Sequence, residues 1–352
     1  MQFSTAVTTT TREKLVPKVF DTITKGTPGL MLFLRNPAPW KSGTEYDVIY
    51  KYADSTNGGN TGIADTLDTD REDVRVKGLF YPKTAYKPVV VADIETELNK
   101  GDERIVDLLT TEFDSQAQSL IQLMSANLYS GTGVGNSWDS LDNAADDSTN
   151  YATYATLARA TYTTLKGYYL ASAGALTLAK MATGYDSVAI GMDNPTDIIT
   201  TKPLWSSYEA LLTPTVRSNY AVNGNPRVDA FGIVTGGEGG GGNIGFETLA
   251  YRGTPVIKDE QVASGRMYFV NRNFFGFKGI SRTGEGYQTV NFKKNNDGVP
   301  MGVVGRVKST LGFNFRDMMS PTNQLAQVGI ILYDGNFISE NPRLQGQIRG
   351  LS

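Results

Sequence analysis

One long amphipathic segment, from Glu103 to Ser130, constrains the fold more than any other part of the sequence. Asp102 is a suitable N-cap for a helix over this segment, and Gly131 stands where a helix stop belongs. At 1.5 Å per residue, the helix would be about 42 Å long. Because its apolar residues form one broad face, we expect it to lie across a sheet. That face consists of Ile105, Leu108, Leu109, Phe113, Ala117, Leu120, Ile121, Met124 and Leu128.

Two strand patterns precede the helix, at 43–53 and 72–82. In the first, apolar positions alternate with polar neighbours, which is the period of a half-buried strand. These positions are Tyr46, Val48, Tyr50 and Tyr52. The segment between the patterns is too long and polar for a tight turn. From 54 to 73 it holds six acidic residues and one arginine, a net charge of −5. We predict a long two-stranded flap with an acidic tip, which needs a partner surface because one hairpin buries too little.

The remaining patterns predict a chain that mixes helices and strands. The segment 12–25 carries a net charge of +2 and reads either as a mobile N-terminal arm or as an arm that lies over a partner. The Gly-, Asp- and Asn-rich segment 131–160 reads as a loop. The other predicted elements are a strand at 85–93, a helix at 175–185, a short strand and then a helix after Pro203, three short strands in 249–279, and long strands within 287–317.

Composition removes much of the usual catalytic chemistry. The chain has no histidine and no cysteine, so thiolate nucleophiles, zinc–sulfur sites and imidazole bases are excluded. Its net charge of −3 does not favour a protein that wraps nucleic acid through a basic surface. No apolar run approaches the roughly 18 residues of a membrane helix, and the first residues lack a signal pattern. We expect a soluble protein, made in a cytoplasm, that binds no membrane.

The motifs that could carry chemistry are weak. The segment 131–136, GTGVGN, follows a helix instead of a strand, and the glycine run 236–242 lacks the Lys-Ser/Thr of a phosphate loop. Asp68, Asp70 and Asp73 resemble a glycosidase carboxylate set, but nothing at a flap tip would desolvate one of them. A further acidic group reads either as ligands of a hard cation or, more simply, as solvated side chains: Asp139, Asp142, Asp146 and Asp147. We expect no cofactor, no metal and no catalytic residues.

The segment 282–316 is basic, with a net charge of +4. Together with the acidic flap, it reads in two ways: the two surfaces meet between copies of the chain, or both are solvated.

The order of these elements resembles that of the major capsid proteins of tailed bacteriophages, which share the Hong Kong ninety-seven-type capsid fold. The stretch LAYRGTPVIKDEQVASGRMYFVN, from residue 249, is similar to the family's Leu-x-Tyr-x-Gly-x-Pro-Val element. NLYSGTG and DIITTKPLWSSYEAL are similar to other family stretches. The resemblance implies an α+β fold with an N-terminal arm (1–42), an extended loop (43–84), a peripheral domain with a spine helix (85–185), an axial domain (186–284), and a return to the peripheral domain with the C-terminal segment (285–352).

The same resemblance implies a subunit that forms pentamers and hexamers and then an icosahedral shell around double-stranded DNA. It implies a virion protein, assembled in the host cytoplasm, with a portal protein and separate scaffolding or decoration proteins as further partners. The acidic flap would lie on a neighbour's basic peripheral strands. The flap residues in this contact would be Ile63, Asp65, Leu67, Asp68, Asp70 and Asp73, and the strand residues Lys293, Lys294, Arg306, Lys308 and Arg316.

Two departures from the family pattern carry expectations of their own. No lysine lies between Lys51 and Lys77, so the flap tip cannot supply the amine of an isopeptide cross-link and the shell is expected to be non-covalent. Only some forty residues precede the flap, so any scaffold is expected to be a separate protein. The alternatives are an encapsulin-type nanocompartment with the same fold and, more remotely, a β-rich carboxylate hydrolase.

Overall fold

A computed structural model describes residues 27–34, 38–40, 43–63, 66–67, 69–98, 108–212, 227–228, 234–235, 249–280, 282, 287–289, 293–294, 300–301, 312–322 and 324–352. By its packing, the chain divides into two compact units. The first contains 1–25, 85–123 and 281–334, and the second contains 26–84, 124–280 and 335–352. The five segments that the resemblance implies stay a prediction. Within the described ranges, no helix has both the length and the hydrophobicity that a membrane crossing requires.

Helices and strands alternate irregularly along the chain. The helices are α1 (Pro28–Leu34), α2 (Asp93–Leu98), α3 (Leu108–Ser130), α4 (Leu141–Ala144), α5 (Leu178–Val188) and α6 (Lys202–Leu211). The strands are β1 (Ala38–Pro39), β2 (Tyr46–Lys51), β3 (Arg75–Phe80), β4 (Lys83–Ala92), β5 (Thr153–Tyr154), β6 (Leu157–Ala158), β7 (Tyr168–Leu170), β8 (Asp197–Thr200), β9 (Arg227–Val228), β10 (Val234–Thr235), β11 (Leu249–Tyr251), β12 (Thr254–Lys258), β13 (Met267–Val270), β14 (Phe275–Gly279), β15 (Tyr287–Thr289), β16 (Lys293–Lys294), β17 (Pro300–Met301), β18 (Phe313–Met319), β19 (Ala326–Ser339) and β20 (Gly346–Ile348).

The long predicted helix is α3, which ends at Ser130 as expected. Its expected start and the N-cap Asp102 lie outside the described residues. Gly131 follows the helix directly, but it does not adopt the left-handed backbone conformation of a usual glycine helix stop. Glycine is needed here because another segment of the backbone lies very close to its Cα. A Cβ at this position would lie 2.1 Å from the carbonyl oxygen of Trp138. The helix therefore stops where the chain folds back tightly on itself.

The first unit is built on a sheet in which β15 pairs with β18, and β18 with β19. Strand β4 also pairs with β19. Helix α3 packs against this sheet through Phe113, whose ring meets that of Phe315 on β18 edge-on at 5.3 Å. Much of the predicted 287–317 region lies outside the described residues, and the long strands expected there are described only as β15 to β18.

The second unit is built on a six-stranded sheet in the order β11-β12-β8-β13-β20-β7. Helices α5 and α6 cover one face with an apolar core that includes Met181, Trp205 and Phe269. Side chains alternate along β13, so Tyr268 points to the opposite face. There its ring stacks on Tyr129 at the end of α3, with 5.7 Å between centroids. The three short strands predicted in 249–279 are present as β11, β12 and β13, and the stretch also contains a fourth strand, β14, that was not predicted.

Helix α1 was not predicted from the sequence. Its residues 29–34 are all buried, and Phe33 meets Phe275 of β14 edge-on at 5.1 Å. Asp259 holds the helix in place: its carboxylate accepts hydrogen bonds from the Gly29 N–H (2.9 Å) and the Tyr129 hydroxyl (3.0 Å). The residues immediately after 27 are therefore part of the second unit's core.

Candidate assembly surface

The predicted flap is present, and its root is regular. Strands β2 and β3 pair antiparallel from Tyr46↔Phe80 to Lys51↔Arg75. Along β2, buried and exposed side chains alternate strictly, which confirms the alternation found in the sequence. The flap belongs to the second unit.

Beyond the paired strands, hydrogen bonds still join the two arms of the flap. The Tyr52 hydroxyl donates to the Asp73 carbonyl at 2.5 Å, and the Thr56 N–H donates to the Glu72 carboxylate at 2.6 Å. Further out, the Asn57 side-chain amide donates to the Asp70 carbonyl. These bonds keep the arms together for several residues past the last strand pair. Sequence reasoning did not single out Thr56 or Asn57, because their partners lie 16 and 13 residues away.

The flap tip presents apolar and acidic side chains to solvent. Ile63 is fully exposed and Leu67 largely so. Asp70 and Asp73 are exposed as well, whereas Asp65 and Asp68 lie outside the described residues. Burying these two large apolar side chains against another surface would be favourable. Exposed apolar side chains of this kind are typical of an interaction site.

Two carboxylates at the flap root are paired with lysines, and one of them, Asp54, belongs to the segment whose charge was counted. Lys51 pairs with Asp54, and its hydrogen bond lowers the pKa of that carboxyl. Lys77 pairs with Asp47 at 2.8 Å, and this hydrogen bond raises the pKa of the lysine. Both pairs are exposed, so each contributes little. The acidic character of the flap therefore rests mainly on its outer part.

The structure places the predicted basic residues unevenly. Arg316 is exposed on β18. Lys293 and Lys294 form the short strand β16, which pairs with β17, while Arg306 and Lys308 lie outside the described residues. The contact between these residues and a neighbour's flap stays a prediction.

One arginine in the basic count serves a contact inside the chain. The Arg282 guanidinium donates to both carboxylate oxygens of Asp334, each at 2.8 Å. Asn314 also donates to that carboxylate at 2.9 Å. A bidentate pair to a buried carboxylate is a fold contact. The basic surface thus depends on fewer cations than the sequence count implies.

Comparisons with known proteins support the fold. The capsid of cyanophage A-1(L) matches with a TM-score of 0.70, at 16% identity, over 97% of each chain. The SrpI encapsulin from Synechococcus elongatus matches with a TM-score of 0.57, at 11% identity, over 100% of this chain and 96% of that one. The capsid of a native GTA particle matches with a TM-score of 0.56, at 8% identity. It covers 97% of this chain and 96% of that one.

The chain has the Hong Kong ninety-seven-type capsid fold. No protein-family model matches it, and no curated protein matches it in sequence. The predicted α+β class and capsid fold are therefore confirmed by structure, over nearly the whole length of the chain.

In this capsid-fold chain, the acidic group in the predicted loop 131–160 is neither a cation site nor a solvated cluster. Asp142 is buried and accepts hydrogen bonds from Arg349, at 2.7 and 2.8 Å, and from Tyr268, at 3.0 Å. Asp146 is buried and accepts the backbone N–H groups of Ser148 and Tyr151, both at 3.0 Å. In the part of the chain that the structure describes, no three acidic side chains gather as metal ligands. The expectation that these carboxylates are solvated was wrong for Asp139, Asp142 and Asp146, which are buried, whereas Asp147 is half-buried.

Asp139 of the same group lies deep in a cleft of about 250 Å³ at the flap root. Its carboxylate accepts a 2.7 Å hydrogen bond from the Asn336 side-chain amide, which also donates to the Tyr81 carbonyl at 2.9 Å. Burial raises the pKa of Asp139 to about 6, although the Asn336 hydrogen bond and the charge of Lys83 act in the opposite direction. Asn336 thereby joins this buried acid to the turn between β3 and β4.

Arg159 is a structural residue that no sequence pattern indicated. It is completely buried, and its guanidinium donates to the Leu165 carbonyl (3.1 Å), the Tyr151 carbonyl (3.0 Å) and the Asn143 carbonyl (2.5 Å). Burial lowers its pKa. These bonds turn the polar segment 141–165 into an ordered part of the second unit.

Proposed function

We propose that this chain is a shell-forming subunit, the major capsid protein of a phage-type particle. The observation that carries the proposal is the match to the cyanophage A-1(L) capsid over 97% of both chains. The exposed flap supports it, because an extended hairpin with an apolar tip is suited to lie on a second copy. In this proposal, the chain forms pentamers and hexamers and then a closed icosahedral shell.

The flap contact would be driven more by its apolar residues than by its charges. An exposed ion pair contributes roughly 0–1 kcal/mol and is screened by salt. Complete burial of one Ile or Leu side chain contributes about 1.5–3 kcal/mol. Ile63 and Leu67 would therefore supply most of the affinity, while the acids would select the basic strands of the neighbour and set the register.

The experiment is assembly of the purified protein, followed by size-exclusion chromatography and negative-stain microscopy of each peak. Replacing Ile63 and Leu67 by Ser should reduce closed particles, whereas Met192→Ser should not, although Met192 is equally exposed. Reversing Asp68 and Asp70 to Lys should weaken assembly. The same reversal at Asp193, exposed but outside the flap, should have less effect.

The outcomes separate the parts of the proposal. Normal shells from the Ser variants would show that the flap tip does not hold the shell together. Normal shells from the Lys variants would show that the acidic side chains are not needed for assembly, without affecting the role of the apolar residues. A chain that stays monomeric even when its neighbouring genes are co-expressed would contradict the capsid function.

The proposed setting is a virion assembled in the host cytoplasm. Double-stranded DNA would be held without sequence specificity, with a portal protein and separate scaffolding or decoration proteins as partners. Because the flap tip has no lysine, we propose that its contacts are non-covalent. Denaturing electrophoresis of purified particles should then give a single band at 38.2 kDa instead of a ladder.

An encapsulin-type shell is the second candidate, and the match to the Synechococcus elongatus encapsulin supports it. The two candidates differ in their contents: nuclease-protected DNA in native particles indicates a capsid, and a single co-purifying enzyme indicates a nanocompartment. A carboxylate hydrolase is not proposed, since Asp70 and Asp73 are exposed and lack the desolvation that would make one of them an acid catalyst.

A further inference from the structure

A small hairpin elsewhere in the chain contacts the free edge of β3, at the root of the flap. Strands β5 and β6 form a two-residue hairpin whose tip is Ala155 and Thr156, both with positive φ (51° and 65°). The Leu79 N–H of β3 donates to the Ala155 carbonyl at 2.9 Å. That N–H points away from β2, so the hairpin tip covers the side of β3 that β2 leaves unpaired.

At Gly78, the hairpin packs so closely against the flap that no side chain larger than hydrogen fits. A Cβ placed on Gly78 would lie 2.6 Å from the Tyr50 ring and 2.9 Å from the Ala155 Cβ. Tyr50 is itself buried, and its hydroxyl donates to the Ser339 carbonyl at 2.8 Å. Gly78 is thus enclosed between Tyr50 on the other flap strand and the hairpin tip.

The hairpin is in turn fixed to the rest of the second unit. The Tyr154 hydroxyl accepts the Ser339 N–H at 2.9 Å, and the Tyr154 ring meets Phe80 of β3 edge-on at 5.4 Å. Arg159 follows β6 and lies 5.1 Å from the same ring, held by the carbonyls described above. The tip of the hairpin is therefore a rigid support.

Further out, the flap contacts differ in kind. Past Lys51 the described bonds run between the two arms of the flap, such as Tyr52 to Asp73 and Thr56 to Glu72. Thr56 and Asp73 are exposed, whereas Tyr52 and Glu72 are half-buried. The packed part of the flap ends near Tyr52, whose ring meets that of Tyr162 edge-on at 5.1 Å.

We propose that the β5–β6 hairpin is a buttress that fixes the direction in which the flap leaves the second unit. The positioning residues are Gly78, Ala155 and Tyr50. A flap that changes direction between copies bends beyond Tyr52, near 53–56 and 70–73, and not at its root. The buttress stands on this packing alone; only its consequence for shells rests on the proposed function.

The test measures flap direction in the unassembled protein. Because the chain has no cysteine, Asn60→Cys on the flap and Ser206→Cys on α6 place two nitroxide labels without background. Double electron–electron resonance then gives the distance between them. Gly78→Ala should displace the mean distance by several ångström, because its Cβ must push the hairpin and Tyr50 apart. Gly59→Ala is the matched control, since nothing lies within 4 Å of a Cβ there.

A second variant guards against misfolding. Ala155→Gly removes the supporting methyl at a position whose φ suits glycine, so it should broaden the distance distribution without lowering the melting temperature. In the double variant Gly78→Ala/Ala155→Gly, the mean distance between the two labels should return close to that of the parent protein. An unchanged distance in both single variants, or an equal displacement in the Gly59→Ala control, would overturn the buttress. Shell formation is scored separately, so a failure of the proposed function leaves this result intact.

Discussion

Replacing Asp139 by Asn should change how the stability of the protein depends on pH. The carboxyl is buried at the flap root and accepts a hydrogen bond from the Asn336 amide. Asn keeps the shape of Asp and can still accept that bond, but it carries no charge. The pH dependence of the difference between the two proteins therefore isolates the free energy of holding a negative charge at this position.

The magnitude follows from the pKa. Burial raises the pKa of Asp139 from 3.8 to about 6, so the native protein retains a proton that the unfolded chain releases between these values. The stabilisation by the neutral form is complete below about pH 4 and is lost as pH rises through about 6. At 1.36 kcal/mol per unit, the ionised group costs up to about 3 kcal/mol above that pH.

The side-chain amide of the Asp139→Asn variant also introduces an N–H₂ group, which costs about 1–3 kcal/mol if no acceptor meets it. We therefore expect the variant to be less stable than the parent near pH 4.5 and more stable by about 1 kcal/mol at pH 8. Because the unfolded carboxyl is already mostly ionised at pH 4.5, the difference between the two proteins should change by about 2 kcal/mol across this range. With an m value of about 3 kcal/mol/M, this is about 0.7 M in urea midpoint.

The assay is urea unfolding of the unassembled parent and variant at several pH values from 4.5 to 8. Asp73→Asn, which removes the same charge from an exposed flap position, is the control. If the Asp139→Asn difference varies with pH no more than that of the control, the buried carboxyl is not the source of the pH dependence, and the reasoning from burial fails.

Three further substitutions test the packing of the second unit, each by the shift of its urea midpoint. Arg159→Met should destabilise the protein by about 3–5 kcal/mol, because it leaves several buried carbonyls without a donor. Gly131→Ala should cost at least about 1–3 kcal/mol, since the new Cβ meets the Trp138 carbonyl, whereas Gly59→Ala should be nearly neutral. Asp259→Ala should cost about 2–4 kcal/mol by leaving the Gly29 N–H and a tyrosine hydroxyl unpaired; a loss below about 0.5 kcal/mol would show that these bonds do not hold α1 in place.

The elements that could be predicted from the sequence are those with one buried and one exposed face. Tyr46, Val48 and Tyr50 alternate because β2 buries every second side chain. Helix α3 has a single apolar stripe, which gives a clear three- and four-residue period. Helix α1, with the sequence PGLMLFL, is buried almost all round and so shows no period at all.

The acidic loop was mispredicted because composition does not reveal distant partners. Asp139 meets Asn336 across 197 positions, and Asp142 meets Arg349 across 207. Only the folded chain brings these groups together, and a polar segment with such partners has the same composition as a solvated loop. For the same reason, the basic count included Arg282, whose partner Asp334 lies 52 residues away.

For the candidate surface, the sequence located the flap and its exposed apolar tip but not the parts that orient it. Ile63 and Leu67 stand out as apolar residues in a polar segment. Gly78 and Ala155 do not, because small residues are common and their importance depends on a contact between segments 77 positions apart. Small residues at close contacts are the features that single-sequence reasoning is least able to find.

The length of the flap determines how far its tip moves when its root rotates. Thirteen residues separate Tyr50 at the root from Ile63 at the tip, which at about 3.3 Å per residue is at most about 43 Å. A rotation of about 5° at the root would then move the tip by about 4 Å, close to the spacing between paired strands. In the proposed contact between subunits, the position of the tip on its neighbour would therefore depend on sub-ångström fits around Gly78, far from the tip itself.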